Sequence, residues 1–141
     1  MTRARKHVGR ITFVGAGPGD PGLLAVTATE AIRHADLVVA DAAVPGAITA
    51  LATGEVRTAD AIPAESAKAV LAEARAGLHV VRLISGDPFT DDAAVKEALA
   101  VAKTVIPFDV VPGVPLGIAT ASYAGVPAGS LYTAAAIDDA G

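Results

Sequence analysis

The chain contains no cysteine and no tryptophan, and only two tyrosines and three phenylalanines among its 141 residues. Without cysteine there is no disulfide and no thiolate metal site, which is compatible with a reducing compartment. Three histidines are present, His7, His34 and His79, and their positions lack the spacing of metal ligands. We therefore expect a cytoplasmic protein without a metal site.

Long hydrophobic runs and an excess of positive charge are also missing. Charges or prolines interrupt every apolar stretch before the roughly 18 residues that a membrane span needs. The net charge of −4 excludes the broad basic face of a nucleic-acid-binding domain. Residues 1–9 carry several cations, but no apolar signal-peptide segment follows them. We expect a flexible basic tail over 1–9, and neither a membrane nor a nucleic acid among the partners.

Short β-branched runs alternate along the chain with helical patterns. Strands are predicted at 11–14, 37–40, 55–58, 80–84 and 109–111. Helices are predicted from Leu24 or Thr27 to about residue 35, and over 46–52, 63–77, 91–103 and 115–123. This order predicts an α/β fold, with an open, mostly parallel five-stranded sheet that carries helices on both faces.

Three local patterns give sharper expectations. Thr27 and Glu30 have capping-box spacing, which predicts a side-chain cap for the first helix. Residues 131–133 form a last β-like patch, and we expect residues 130–141 to begin the connection to a second lobe. Apolar residues three and four apart predict the buried face of the fourth helix, and they are Val95, Ala98, Leu99 and Ala102.

Loops rich in glycine and proline follow three of the predicted strands, at 15–22, 85–88 and 112–115. The carboxyl ends of parallel strands lie along one edge, where such sheets bind ligands. Two carboxylates join this edge: Asp41, which could instead cap the next helix, and Asp87, which could instead form an Asx-turn. The convergence of these features favours a small-molecule site.

The first loop is not typical of a nucleotide-phosphate site. Asp20 stands where the G-x-G-x-x-G pattern has its third glycine, and Pro18 removes an amide that could bind an anion. We interpret the loop as a surface of bare backbone that a ligand without phosphates approaches closely.

Four motifs stand in register between residues 9 and 129, and they are VGAGPGDPGLL at 14–24, VVRLISGDPF at 80–89, VVPGV at 110–114 and YAGVP at 123–127. Together they resemble the tetrapyrrole (uroporphyrinogen/corrin) methylases, particularly members that methylate uroporphyrinogen III and their fusions with uroporphyrinogen-III synthase. The resemblance implies that residues 10–129 form the N-terminal lobe of a two-lobe enzyme, inactive alone. It also implies S-adenosyl-L-methionine as cofactor and C-methylation of uroporphyrinogen III or a related reduced tetrapyrrole, in sirohaem or cobalamin biosynthesis.

The resemblance also implies roles for individual residues and partners. Asp41 matches the family's proposed base. The implied partners are the tetrapyrrole, a missing C-terminal lobe of the same protein and, at full length, a second copy in a homodimer. By motif position, the residues expected to contact the cofactor are Pro18, Ser85, Gly86, Asp87, Thr90, Pro115 and Leu116.

Some positions depart from the family pattern. The family's Gly-Lys-Arg after the third strand is replaced by residues 58–60, so its proposed acid, a lysine, has no counterpart. The rim loops offer almost no cations for a polycarboxylate substrate, while Arg57 and Arg82 lie within strands and are either structural or substrate-binding. The alternative is a degenerate lobe that serves as a binding or scaffolding module beside a uroporphyrinogen-III synthase domain; a third reading is a nicotinamide-nucleotide domain.

Overall fold

In a computed structural model, which describes residues 7–135, all five predicted strands are present. They form one sheet in the order β3-β2-β4-β1-β5, and every neighbouring pair is parallel. The α/β prediction is therefore confirmed. The expected tail and connection lie partly outside the described residues, at 1–6 and 136–141. The strands are β1 (Arg10–Gly15), β2 (Leu37–Ala40), β3 (Glu55–Thr58), β4 (His79–Ile84) and β5 (Phe108–Val111).

The helices also follow the predicted order: α1 (Val26–His34), α2 (Gly46–Thr49), α3 (Pro63–Arg75), α4 (Asp92–Ala102) and α5 (Leu116–Tyr123). Among residues 7–135, no helix combines the length and apolarity needed to cross a bilayer.

The ends of these helices show which of the capping signals in the sequence are used. The Asp91 side chain caps α4 by accepting from the Ala94 amide at 2.8 Å, and Gly77, with φ of 101°, follows the end of α3. The predicted capping box of α1 is wrong. The cap position is Ala25, which makes no side-chain cap bond, so Thr27 already lies within the first turn.

Two helical layers cover the sheet, one on each face. Ile11 and Phe13 of β1 point to the layer formed by α3 and α4. Val14, one residue further on, points to the layer formed by α1 and α2. Because both faces are covered, the central strands are largely apolar on both sides, and all four residues of β2 are buried.

The predicted buried face of α4 is displaced by one position. Leu99, expected inside, is 59% exposed, and Ala102 is also exposed. The predicted and the observed sets of residues both have helical spacing. The observed set contains Glu97, whose charge is typical of a surface position, so the sequence favoured the other set. Glu97 is buried because a charged partner from β4 meets it there. The residues that face the sheet are Ala94, Glu97, Ala98 and Val101.

The β-like patch at 131–133 does not form a strand. Within residues 7–135 this segment has no strand pairing, and the Leu131 side chain is 91% exposed. A β-like composition forms a strand only where a neighbouring strand is available to pair with it.

A polar cluster occupies the amino end of the sheet. The Thr12 hydroxyl donates to Asp109 Oδ1 at 2.8 Å. His79 Nε2 lies 3.0 Å from the same hydroxyl and therefore donates to it. Burial lowers the pKa of His79, and the nearby Arg10 charge lowers this pKa further, against the opposing effect of Asp109.

This cluster makes stability depend on pH. The His79 pKa is lower in the folded protein than the ordinary value of 6.5, so the unfolded chain takes up this proton first. Stability from His79 is therefore complete above about pH 6.5 and is lost as the pH falls towards the lowered pKa. In urea unfolding between about pH 7 and pH 5.5, His79→Gln should flatten this decline. His7→Gln, at an exposed histidine, is the matched control; equal slopes for the two variants would contradict the prediction.

Candidate functional site

The topology places a crevice on each side of β4 at the carboxyl edge. The chain leaves β4 towards α4 on one face, whereas it leaves the neighbouring strands β1 and β2 towards α1 and α2 on the other face. Ligand sites of open α/β sheets lie where adjacent connections diverge in this way. Both crevices contain residues singled out from the sequence.

In the crevice between β1 and β4, the glycine-rich loops pack against one another. Gly17 and Gly86 exchange two backbone hydrogen bonds, of 3.1 and 3.0 Å. A Cβ added to Gly15 would lie 2.5 Å from the Gly113 nitrogen, and one added to Gly113 would overlap the Gly86 oxygen. Neighbouring loops, rather than open space for a ligand, thus approach Gly15 and Gly113.

Asp87 ties two of these loops together. Its Oδ2 accepts from the Phe89 amide at 3.0 Å, which is the Asx-turn considered above. Its Oδ1 accepts from the Gly113 amide at 3.0 Å. The carboxylate therefore holds the loop after β4 against the loop after β5.

A cavity of about 470 Å³ opens beside these loops. Pro18 and Asp87 are not among the residues that line it. Five of the seven residues predicted to contact a cofactor do line it, and they are Ser85, Gly86, Thr90, Pro115 and Leu116.

The lining can hold a small molecule that is partly polar and partly apolar. Two hydroxyls, from Ser85 and Thr90, and the Asp91 carboxylate provide hydrogen-bonding groups, while Leu116 and Ile118 provide apolar surface. The volume lies within the range of roughly 300–1,000 Å³ that is typical of small-molecule sites.

Sequence reasoning missed part of this lining. Asp91 and Ile118 were assigned only to helices, and 130–135 only to a connection. Tyr132, Ala134 and Ala135 nevertheless line the cavity. The motif position next to Thr90 could have signalled Asp91, whereas no local pattern shows that the segment after α5 returns to this edge.

Asp41 lies in the other crevice, between β2 and β4. Its Oδ1 is 2.7 Å from Nη2 of Arg82, and its Oδ2 accepts from the Ser85 amide at 3.2 Å. The side chain is 27% exposed. Asp41 does not cap α2, whose cap position is Pro45. Ser85 connects the two regions, because its amide binds Asp41 while the residue lines the cavity.

Arg82 is a structural residue rather than a ligand for substrate. Its Nε and Nη2 donate to the two oxygens of Glu97, each at 2.9 Å, and Nη2 also pairs with Asp41. Its Nη1 donates to the Val39 and Leu83 carbonyls at 3.4 and 3.1 Å. All five guanidinium donors are thus engaged. Burial opposes the charged form, but hydrogen bonding and charge from Glu97, with the Asp41 charge, raise the pKa of Arg82 overall.

The carboxyl edge itself is acidic. The loops that follow the five strands, at 16–25, 41–45, 59–62, 85–91 and 112–115, contain no lysine, arginine or histidine. Arg57, the nearest exposed arginine before the third loop, pairs with Glu55 at 2.6 Å and with Glu73 at 3.0 Å. The carboxylates in these loops are Asp20, Asp41, Asp60, Asp87 and Asp91.

Known proteins are similar to this chain in both sequence and fold. The chain is 39% identical over 128 residues to the uroporphyrinogen-III C-methyltransferase of a Sinorhizobium species, covering 84% of this chain and 46% of that protein. The crystal structure of uroporphyrin-III-C-methyltransferase from Thermus thermophilus matches with a TM-score of 0.81 and 36% identity, over 85% of this chain and 54% of the Thermus chain.

A second Thermus structure, of the enzyme complexed with S-adenosylhomocysteine, matches with a TM-score of 0.73 and 37% identity, over 84% of this chain and 49% of that one. The chain thus spans about half the length of these relatives. Residues 10–139 match the family model of the Tetrapyrrole (Corrin/Porphyrin) Methylases. Since this match covers most of the chain, the protein belongs to the tetrapyrrole methylase family.

Proposed function

We propose that residues 10–129 form the cofactor-binding lobe of an S-adenosyl-L-methionine-dependent methyltransferase, which C-methylates uroporphyrinogen III or a related reduced tetrapyrrole. The observation that carries the proposal is the cavity at the carboxyl edge, which gathers Ser85, Gly86, Thr90, Pro115 and Leu116. The S-adenosylhomocysteine bound by the Thermus relative supports the choice of cofactor, and the names of the relatives support the substrate.

The residues that line the cavity suit this cofactor chemically. Leu116 and Ile118 offer apolar contact for an adenine ring, and Ser85, Thr90 and Asp91 offer partners for hydroxyl and ammonium groups. When bound, S-adenosyl-L-methionine supplies an activated methyl group.

Asp41 is the proposed proton acceptor. Methylation of a pyrrole carbon is completed by loss of a proton, which a positioned carboxylate can take up. The contacts of Asp41 with Arg82 and with the Ser85 amide hold its carboxylate in one place, as a positioned base requires.

Partners outside this lobe complete the proposal. The relatives extend well beyond the matched part, so we place the opposite side of the cleft in a second lobe of the same protein. The cations that a polycarboxylate substrate needs would come from that lobe, because the loops of this one provide none. The whole protein would act as a homodimer in the cytoplasm.

Calorimetry with S-adenosylhomocysteine tests the proposal on the protein as its gene encodes it. Saturable binding is expected, and Leu116→Glu should weaken it by at least about tenfold, because a charge would enter the apolar part of the cavity. Leu131→Glu, at an exposed leucine that does not line the cavity, is the matched control and should bind normally. Absence of binding at millimolar ligand, or equal affinity in both variants, would refute the assignment.

The acidic edge favours a second candidate function, a degenerate lobe that serves as a binding or scaffolding module beside a uroporphyrinogen-III synthase domain. Four of the five loops carry carboxylates, and none of the five carries a cation, which disfavours a polycarboxylate substrate. A methylation assay with uroporphyrinogen III separates the two functions: turnover supports the enzyme, whereas cofactor binding without turnover supports the module.

A further inference from the structure

Glu97 is only 2% exposed, although glutamate is rarely buried without a partner. Its Oε1 accepts from Nη2 of Arg82 at 2.9 Å, and its Oε2 accepts from Nε at 2.9 Å. The Ser66 hydroxyl of α3 donates to Oε2 at 3.0 Å. This paired geometry fixes the guanidinium plane between α4 and the sheet.

The orientation of Arg82 determines where the Asp41 carboxylate can lie. Since Glu97 takes Nε and one Nη2 hydrogen, the other Nη2 hydrogen is directed at Asp41 Oδ1, at 2.7 Å. The Ser85 amide holds the second oxygen of Asp41. A shift of Glu97 would therefore move Asp41 through Arg82, because both carboxylates bind the same guanidinium.

The net charge of this cluster also depends on Glu97 and is expressed at Asp41. One guanidinium contacts two carboxylates, so the three side chains together carry one net negative charge. The Arg82 and Glu97 side chains are 4% and 2% exposed, whereas Asp41 is 27% exposed. With Glu97 neutralising Arg82, the excess charge lies on Asp41, at the crevice. Without Glu97, Arg82 would neutralise Asp41 instead.

We propose that Glu97 is a positioning residue, which acts through Arg82 to hold the Asp41 carboxylate at the crevice with its negative charge uncancelled. Only the role of Asp41 as proton acceptor rests on the proposed function. The coupling between Glu97 and Asp41 is a property of the fold and can be measured without turnover.

The Ser85 amide is the natural reporter, because it donates to Asp41 and does not bind Glu97. In amide NMR spectra, Glu97→Gln should shift the Ser85 resonance in the wild-type background and leave it almost unchanged in an Asp41→Asn background. The Ile62 amide, which binds Asp60 at 2.8 Å, is the internal control. A Ser85 resonance insensitive to Glu97→Gln, or equally sensitive in both backgrounds, would overturn the proposal.

Glu97→Asp provides the same comparison if Glu97→Gln does not fold. It keeps the charge and shortens the side chain by one methylene, so the proposal expects a displaced Ser85 amide that again depends on Asp41. A displacement that is independent of Asp41 would assign Glu97 a merely structural role.

Kinetics extend the test to function in the protein as its gene encodes it. Glu97→Gln should lower kcat by about tenfold, with little change in S-adenosylhomocysteine affinity. An effect of this size is typical when a residue that orients a metal ligand through a hydrogen bond is replaced, and Glu97 orients Asp41 in a comparable way. Added to Asp41→Asn, it should cause no further loss; additive losses would count against the proposal. If the protein neither binds the cofactor nor methylates, the proposed function fails, while the Ser85 comparison still decides this inference.

Discussion

Replacing Arg82 by methionine is expected to lower the free energy of unfolding by about 3–5 kcal/mol. The substitution leaves the Glu97 carboxylate buried without its bidentate partner and removes the donor that serves the Val39 and Leu83 carbonyls. An uncompensated buried charge costs far more than the lost pair contributes. Urea unfolding at neutral pH, followed by circular dichroism, measures the effect.

Arg57→Met is the matched control for this prediction. Arg57 also pairs with two carboxylates, those of Glu55 and Glu73, but it is exposed, so water screens these pairs and solvates the carboxylates left behind. Its substitution should change stability much less. Replacing Glu97 by glutamine together with Arg82→Met should recover part of the loss, because the buried charge is then absent. Equal effects of the two arginine substitutions would contradict this account.

Gly113→Ala is expected to lower stability by about 3 kcal/mol and to abolish most of the binding in the adjacent cavity. A Cβ at this position would overlap the Gly86 oxygen and approach the Gly15 backbone at 2.8 Å. Backbone atoms cannot turn aside as a flexible side chain can, so the loops after β1, β4 and β5 would have to separate. Urea unfolding and S-adenosylhomocysteine calorimetry measure the two effects.

Gly46→Ala serves as the control for the glycine substitution. A Cβ at Gly46, the first residue of α2, meets no atom within 4 Å. Alanine restricts the unfolded chain, so this change should be neutral or stabilise the protein by about 0.4–1 kcal/mol. If Gly113→Ala were equally harmless, the close packing of the three loops would not matter for stability.

The secondary structure was largely predictable, because its signals are local. Ala67, Val70, Leu71 and Ala74 have the three-and-four spacing of a buried helix face, and all four are buried in α3. The same spacing rule was wrong for α4. There two faces competed, and the buried one contains Glu97, whose partner on β4 cannot be read from the helix itself.

The candidate site was predictable only in part. The motifs brought together five residues that do line one cavity, among them Ser85 and Leu116. The same motifs predicted ligand contact for Asp87, which stays a prediction. They did not indicate that its oxygens join two loops. Bare backbone at Gly15 suggested room for a ligand, yet that room is filled by the loop of Gly113.

By itself, the sequence determined the order of strands and helices, the edge where the loops converge and the family. Periodicity, turn residues and motif spacing are properties of short segments, so they can be read without the fold. Only the tertiary structure decided that Arg82 is structural and that Glu97 is buried beside it. It also decided that Asp41 is held by the Ser85 amide, 44 positions away along the chain. Such pairs depend on which strands become neighbours, and strand order is set by the packing of both helical layers together.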